Sequence, residues 1–166
     1  MPDPVPVARS GPAPDLDLGA FRRKIAVVRS EIISGTILDN VRLGRADVDA
    51  HAVRRALSEV GLLEDIDAMP EGLRTELTAS GEPLSSSQKC RLAIARAIAG
   101  EPVLLVLDDA LDGLDPRVRE PMLDALFSKA HSWTLLVTSN DPSVLSRCQR
   151  VLRLHDGVLH VGAGTR

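Results

Sequence analysis

The stretch that most constrains this 166-residue chain is Val103-Leu104-Leu105-Val106-Leu107, followed at once by Asp108-Asp109. An unbroken run of β-branched and leucine side chains, without alternation, is the profile of a strand buried on both faces, as strands of parallel sheets are. Two carboxylates at its end put charge where a buried strand runs out into a loop. The run is also the longest uninterrupted apolar one in the sequence, well short of the ~20 residues a membrane span needs. A direct membrane span is therefore not expected.

The flanking sequence supplies elements to pack on that strand. Ile25–Val28, beside Arg22-Arg23-Lys24, reads as a second buried strand. Ser34-Gly35-Thr36 reads as a turn opening a short helix through Asn40 and Leu43, closed by Gly44. Residues 49–60 form the clearest helix, with Val53, Leu57 and Val60 at i, i+4, i+7 and Gly61 at the stop position. A loop-rich stretch holding Pro70, Gly72, Gly81 and Pro83 leads to a second helix, Ser85 to about Ala99, ended by Gly100 and Pro102. Pro116 suits the first position of a helix after Asp115, and Pro121 is expected to delay or kink it. Trp133–Val137 reads as a further strand, followed by a short helix over Ser143–Ser146. A terminal hairpin, Arg150–Leu154 and Val158–His160, turns at Asp156-Gly157. Strands alternating with helices imply an α/β domain with a mostly parallel sheet. The first 14 residues carry five prolines and are expected to form a disordered or extended leader.

Composition excludes several classes. At 44% hydrophobic and 26% charged residues the chain is of the soluble globular kind. A net charge of −3 with interspersed signs gives no electrostatic reason to expect nucleic acid as a partner. Cys90 and Cys148 lie outside any CxxC spacing and read as reduced packing residues in a cytosolic setting. The N-terminus lacks an apolar h-region, so no signal peptide is expected. With 2% aromatic residues and no tyrosine, few side chains can stack on a base.

Four segments carry chemistry together: Leu84-Ser85-Ser86-Ser87-Gln88, Val103–Asp109, Leu111-Asp112-Gly113-Leu114-Asp115-Pro116, and Leu135–Pro142. Separately each has a plain explanation. Ser85-x-x-Gln88 is a capping box, worth ~1 kcal/mol to a helix without any ligand. Paired aspartates are common at strand ends, and Leu111–Pro116 can be a simple turn. Yet a helix N-terminus presents free N–H groups and about half a positive charge, which draws in a phosphate. Three serines there add hydroxyl donors. Asp108 can hold Mg²⁺ directly or through water, and Asp109 can polarise an attacking water.

In order and spacing these segments resemble the ABC ATPase family, over about Asp15 to His160, with exporter-type modules as the nearest kind. The resemblance aligns Leu84–Gln88 with the family's signature motif, so that Ser85, Ser86, Ser87 and Gln88 would bind nucleotide. Asp108 falls on the Walker B aspartate that serves the metal, and Asp109 on the place of a catalytic glutamate. Asp112–Asp115 match the D-loop, and Asn140 falls where the family has a switch histidine. Ser34–Gly44 and the Gly61–Leu77 stretch are also similar to exporter modules. The implied fold is an incomplete P-loop NTPase: a helical subdomain over about 37–99 and a catalytic-core remainder over about 100–160. The implied cofactors are ATP and Mg²⁺, and the implied partners are an intact ATPase subunit and a transmembrane subunit at the inner face of the cell membrane.

The departures matter as much as the matches. A phosphate-cradling loop needs Gly-x-x-x-x-Gly-Lys-Ser/Thr. None of the chain's three lysines, Lys24, Lys89 and Lys129, follows a glycine or precedes a serine or threonine. The chain is therefore expected to be a truncated module without autonomous ATPase activity. Ser86 and Ser87 replace the signature glycines, Asp109 is one methylene short of glutamate, and Asn140 cannot relay a proton as histidine does. Arg29-Ser30-Glu31 occupies the Q-loop place without a glutamine. Loss of a central strand and its helix is expected to uncover apolar edges. The leading expectation is a degenerate ABC subunit that lends signature and D-loop elements to a composite ATP site. The alternatives are a non-catalytic regulatory module, a non-functional remnant, or a soluble ABC ATPase of the DNA-repair or translation kind.

Overall fold

The computed structural model describes Gly19, residues 24–111 and residues 114–162. The expected leader over 1–14, and the D-loop residues Asp112 and Gly113, lie outside the described residues. The elements in chain order are β1 (Ile25–Val27), β2 (Gly35–Thr36), α1 (Ile37–Arg42), α2 (Ala50–Glu59), α3 (Leu63–Asp67), a 3₁₀ turn (Gly72–Arg74), β3 (Glu76–Leu77), α4 (Ser86–Ile98), β4 (Leu104–Asp108), α5 (Pro116–Leu126), β5 (Thr134–Thr138), α6 (Pro142–Leu145), β6 (Val151–His155) and β7 (Val158–Gly162).

The main sheet has the order β1-β4-β5 and both of its ladders are parallel. The pairs β2-β3 and β6-β7 are antiparallel. The molecule is thus an α/β fold built on a parallel sheet, as the alternation of elements implies. The apolar run does form the central strand, but its burial departs from expectation. Leu105 and Leu107 are fully buried, whereas Val103, Val27 and Leu136 are about half exposed. The register explains the division. Ala26, Leu105 and Leu135 lie across from one another on the covered face, while Val27, Val106 and Leu136 line up on the other. Successive side chains alternate sides, so one apolar face of the sheet is open to solvent. An apolar run predicts a strand; it does not say what lies on each face.

The helices form as their sequences dictate. Thr36 and Ser85 close full capping boxes with Asp39 and Gln88, and Asp49, Asp115 and Asp141 cap α2, α5 and α6. Helix α1 ends at Arg42, with Leu43 in the left-handed region at φ 48° and Gly44 following at φ 70°. Pro121 stands inside α5 without ending it. The hydrophobic core joins Ile37, Val41, Leu57 and Ile66 of the helical half to Leu105, Leu107, Met122 and Leu123 of the sheet half. Helix α4 links them: Leu92, Ile94 and Ala95 are fully buried, and the helix packs on α1, α2 and β1. Truncating a side chain such as Leu92 to alanine costs about 2–5 kcal/mol at a site of this kind.

Candidate functional site

The N-terminus of helix α4 carries four of the predicted residues, Ser85 as its cap and Ser86, Ser87 and Gln88 in its first turn. Ser85 Oγ accepts from Gln88 N at 3.2 Å, and Gln88 Oε1 accepts from Ser85 N at 2.9 Å. The cap leaves Ser85 and Ser86 exposed, while Ser87 Oγ is buried and has no hydrogen-bond partner. With Gln88 N satisfied by the cap, the N–H groups of Ser86 and Ser87 remain at the positive end of a 13-residue helix.

Strand β4 delivers the carboxylates. The parallel register sets Asp108 beside Thr138, and Thr138 Oγ1 donates to Asp108 Oδ1 at 2.7 Å. The same hydroxyl accepts from Asp109 N at 2.9 Å and lies 3.2 Å from Asp109 Oδ1. Thr138 therefore tethers both acidic residues. Its sequence position gave no sign of this, because the contact depends on which strand neighbours β4 and in what register. Asp109 itself has φ 47°, a left-handed conformation that aspartate tolerates better than most residues.

Ser86, Ser87, Asp108 and Asp109 line one cleft of about 620 Å³, together with Cys90 and the Arg29-Ser30-Glu31 segment. Ser85 and Gln88 are not among the lining residues; they are bonded to one another in the cap. Asn140 is not among the lining residues; it lies just beyond β5. Its neighbour Asp141 accepts from Ser143 N and Ser143 Oγ at 2.8 and 2.7 Å and pairs with Arg119 at 2.6 Å. The Ser143 bonds first, with Arg119 adding, hold the Asp141 carboxyl below its ordinary range. Cys90 Sγ donates to Ala110 O at 3.0 Å, and burial pushes its thiol up, Arg91 opposing. Cys90 is accordingly a packing thiol in the cleft floor.

A latch fixes the cleft's other wall. Asn40, fully buried, accepts from Ile33 N and Arg96 Nη2 on its Oδ1 and donates to Ile33 O and Thr36 O. Arg96 also donates to Asn40 O and to Glu31 O, both at 2.7 Å. Arg45 bridges Val41 O and Arg96 O at 2.8 and 2.7 Å. Burial pushes both guanidiniums down from their ordinary value; the Arg45 charge adds to this at Arg96. Behind the cap, Asp65 Oδ2 accepts from Gln88 Nε2 at 3.2 Å and from Arg91 Nη2 at 2.8 Å.

The donor set at β4 is hard oxygen, as Mg²⁺ requires. Among the described residues no group of three or more His, Cys, Asp or Glu could cage an ion. The carboxylates suit Mg²⁺ shared with substrate phosphates rather than held by protein alone.

No family model matches the chain. It is 35% identical over 146 residues to an ATP-dependent lipid A-core flippase of Paraburkholderia xenovorans, covering 87% of this chain and 24% of the relative. It is 30% identical over 148 residues to an uncharacterized ABC transporter ATP-binding protein, YknV, of Bacillus subtilis, covering 88% and 24%. The structure of a bacterial Atm1-family ABC exporter with ATP bound superposes with a TM-score of 0.75 at 28% identity, over 82% of this chain and 24% of that one. The chain belongs to the ABC transporter ATP-binding domain family. It spans about a quarter of the length of these curated relatives. As an ABC ATP-binding domain homologue it has no helix, among the described residues, long and apolar enough to cross a membrane.

Proposed function

We propose that this ABC domain supplies part of a composite ATP site in a transporter, with the phosphate-cradling loop coming from another ATPase segment or subunit. The observation that carries the reading is the N-terminus of α4: a closed capping box with the Ser85 and Ser86 side chains exposed at the helix's positive end. Such an end takes a phosphate without further apparatus. The 166-residue sequence contains no Gly-x-x-x-x-Gly-Lys-Ser/Thr, so the opposite side of the phosphates must be enclosed from elsewhere. In this reading Ser85–Gln88 and the segment Asp112–Asp115 face the nucleotide. Asp108 would hold Mg²⁺, which supplies charge neutralisation of the phosphates; Asp109 would orient water, and Asn140 would stand in the switch position. The partners would be an intact ABC ATPase subunit and a transmembrane subunit, placing the domain at the cytoplasmic face of a membrane.

Mixing the purified chain with an intact exporter ATP-binding domain and Mg-ATP, followed by analytical ultracentrifugation, tests this. Nucleotide-dependent pairing is expected, and the double variant Ser85→Ala, Ser86→Ala is expected to abolish it. The chain alone is expected to release no ADP above background; steady turnover by the isolated chain would overturn the reading. A second reading, a non-catalytic regulatory module, is favoured by the residues that depart from the family at the cleft: Ser86, Ser87 and Asp109. Pairing indifferent to nucleotide would select it.

A further inference from the structure

We infer that Asp65 is a positioning residue for the α4 N-terminus, setting the Gln88 amide so that the Ser85 cap stays closed toward the phosphate side. The inference rests on the reading that Ser85–Gln88 face a phosphate. Gln88 can close the cap only with its amide oxygen toward Ser85 N, where it accepts at 2.9 Å. That orientation turns Nε2 outward, onto Asp65 Oδ2 at 3.2 Å. A carboxylate only accepts, so Asp65 rejects the flipped amide, whose oxygen would meet it. Asp65 is itself held by Arg91, which donates to the same oxygen at 2.8 Å and to Gly61 O at the end of α2. The Arg91 side chain is only 10% exposed and its Nε has no partner, so its orientation depends on those two acceptors. Asp65 lies on α3, 23 residues before Gln88. The helical half thereby decides how the phosphate-facing serines are presented.

The full chain, ¹⁵N-labelled, provides the test by nuclear magnetic resonance. In the unmodified chain the Gln88 side-chain amide hydrogens are expected to show Overhauser contacts to the Asp65 β-hydrogens; their absence overturns the inference without any variant. Asp65→Ala is expected to move the Gln88 side-chain and Ser85 backbone amide resonances while leaving those of Ala97 and Ile98 in place. Asp65→Glu, which keeps an acceptor-only carboxylate, is expected to restore them. With the ATP-loaded partner domain, Asp65→Ala is expected to weaken pairing about three- to tenfold and Asp65→Glu to recover it. Unmoved Ser85 and Gln88 resonances, or moved resonances with unchanged pairing, would sink the inference. Should the unmodified chain not pair at all, the composite-site reading fails, and the resonances alone decide whether Asp65 sets the cap.

Discussion

Asn40 shows how much one buried amide can organise. It satisfies Ile33 N, Ile33 O, Thr36 O and Arg96 Nη2 at once, with no exposure of its own. Asn40→Ala orphans those groups and is expected to cost about 2–4 kcal/mol, read as a fall in the urea midpoint. Asp109 is the opposite case, a side chain kept where its backbone is strained. At φ 47° a glycine meets no Cβ penalty, so Asp109→Gly is expected to leave stability unchanged or raise it by up to ~1 kcal/mol. A thermal melt checks this. The Ser85-x-x-Gln88 box was legible in sequence because its partners are local. The Asn40, Thr138 and Asp65 contacts were not, because each joins residues brought together only by tertiary structure; Arg96, for instance, reaches Asn40 across 56 positions.

At the scale of elements, capping explains why short helices persist. Asp49 accepts from Ala52 N at 2.8 Å, and that bond is the main cause holding its carboxyl below the ordinary 3.8. A carboxyl with a lowered folded pKa adds stability above its unfolded value, and the contribution disappears as pH falls through the folded one. The chain is therefore expected to lose stability as pH drops below 3.8, and Asp49→Asn to flatten that loss. Melting midpoints measured from about pH 5 to pH 3 give the comparison. Helix positions were readable from periodicity and stop signals: α2 and α4 fall within a residue of their expected ends. The exposure of β1 and β5 was not, since hydrophobicity reports what a strand tolerates, not which neighbours cover it. The sheet face carrying Val27, Val106 and Leu136 is open to solvent, whereas the sequence reads the central run as covered on both sides.

For the molecule as a whole, α4 is the element that both halves share. It is buried against α1 and α2 on the helical side and against β1 on the sheet side, within one continuous core. A domain split by a single common member has no internal seam along which to come apart. Melting followed by far-ultraviolet circular dichroism, weighted to the helices, and by fluorescence of the single tryptophan, Trp133, is expected to give coincident curves. Two separated midpoints would show the halves unfolding independently. Coincidence means that a disturbance on the helical side reaches the strand ends as a change in the population of the entire fold. A binding event that steadies one end of this shared rod then tightens the other, with no moving hinge between them.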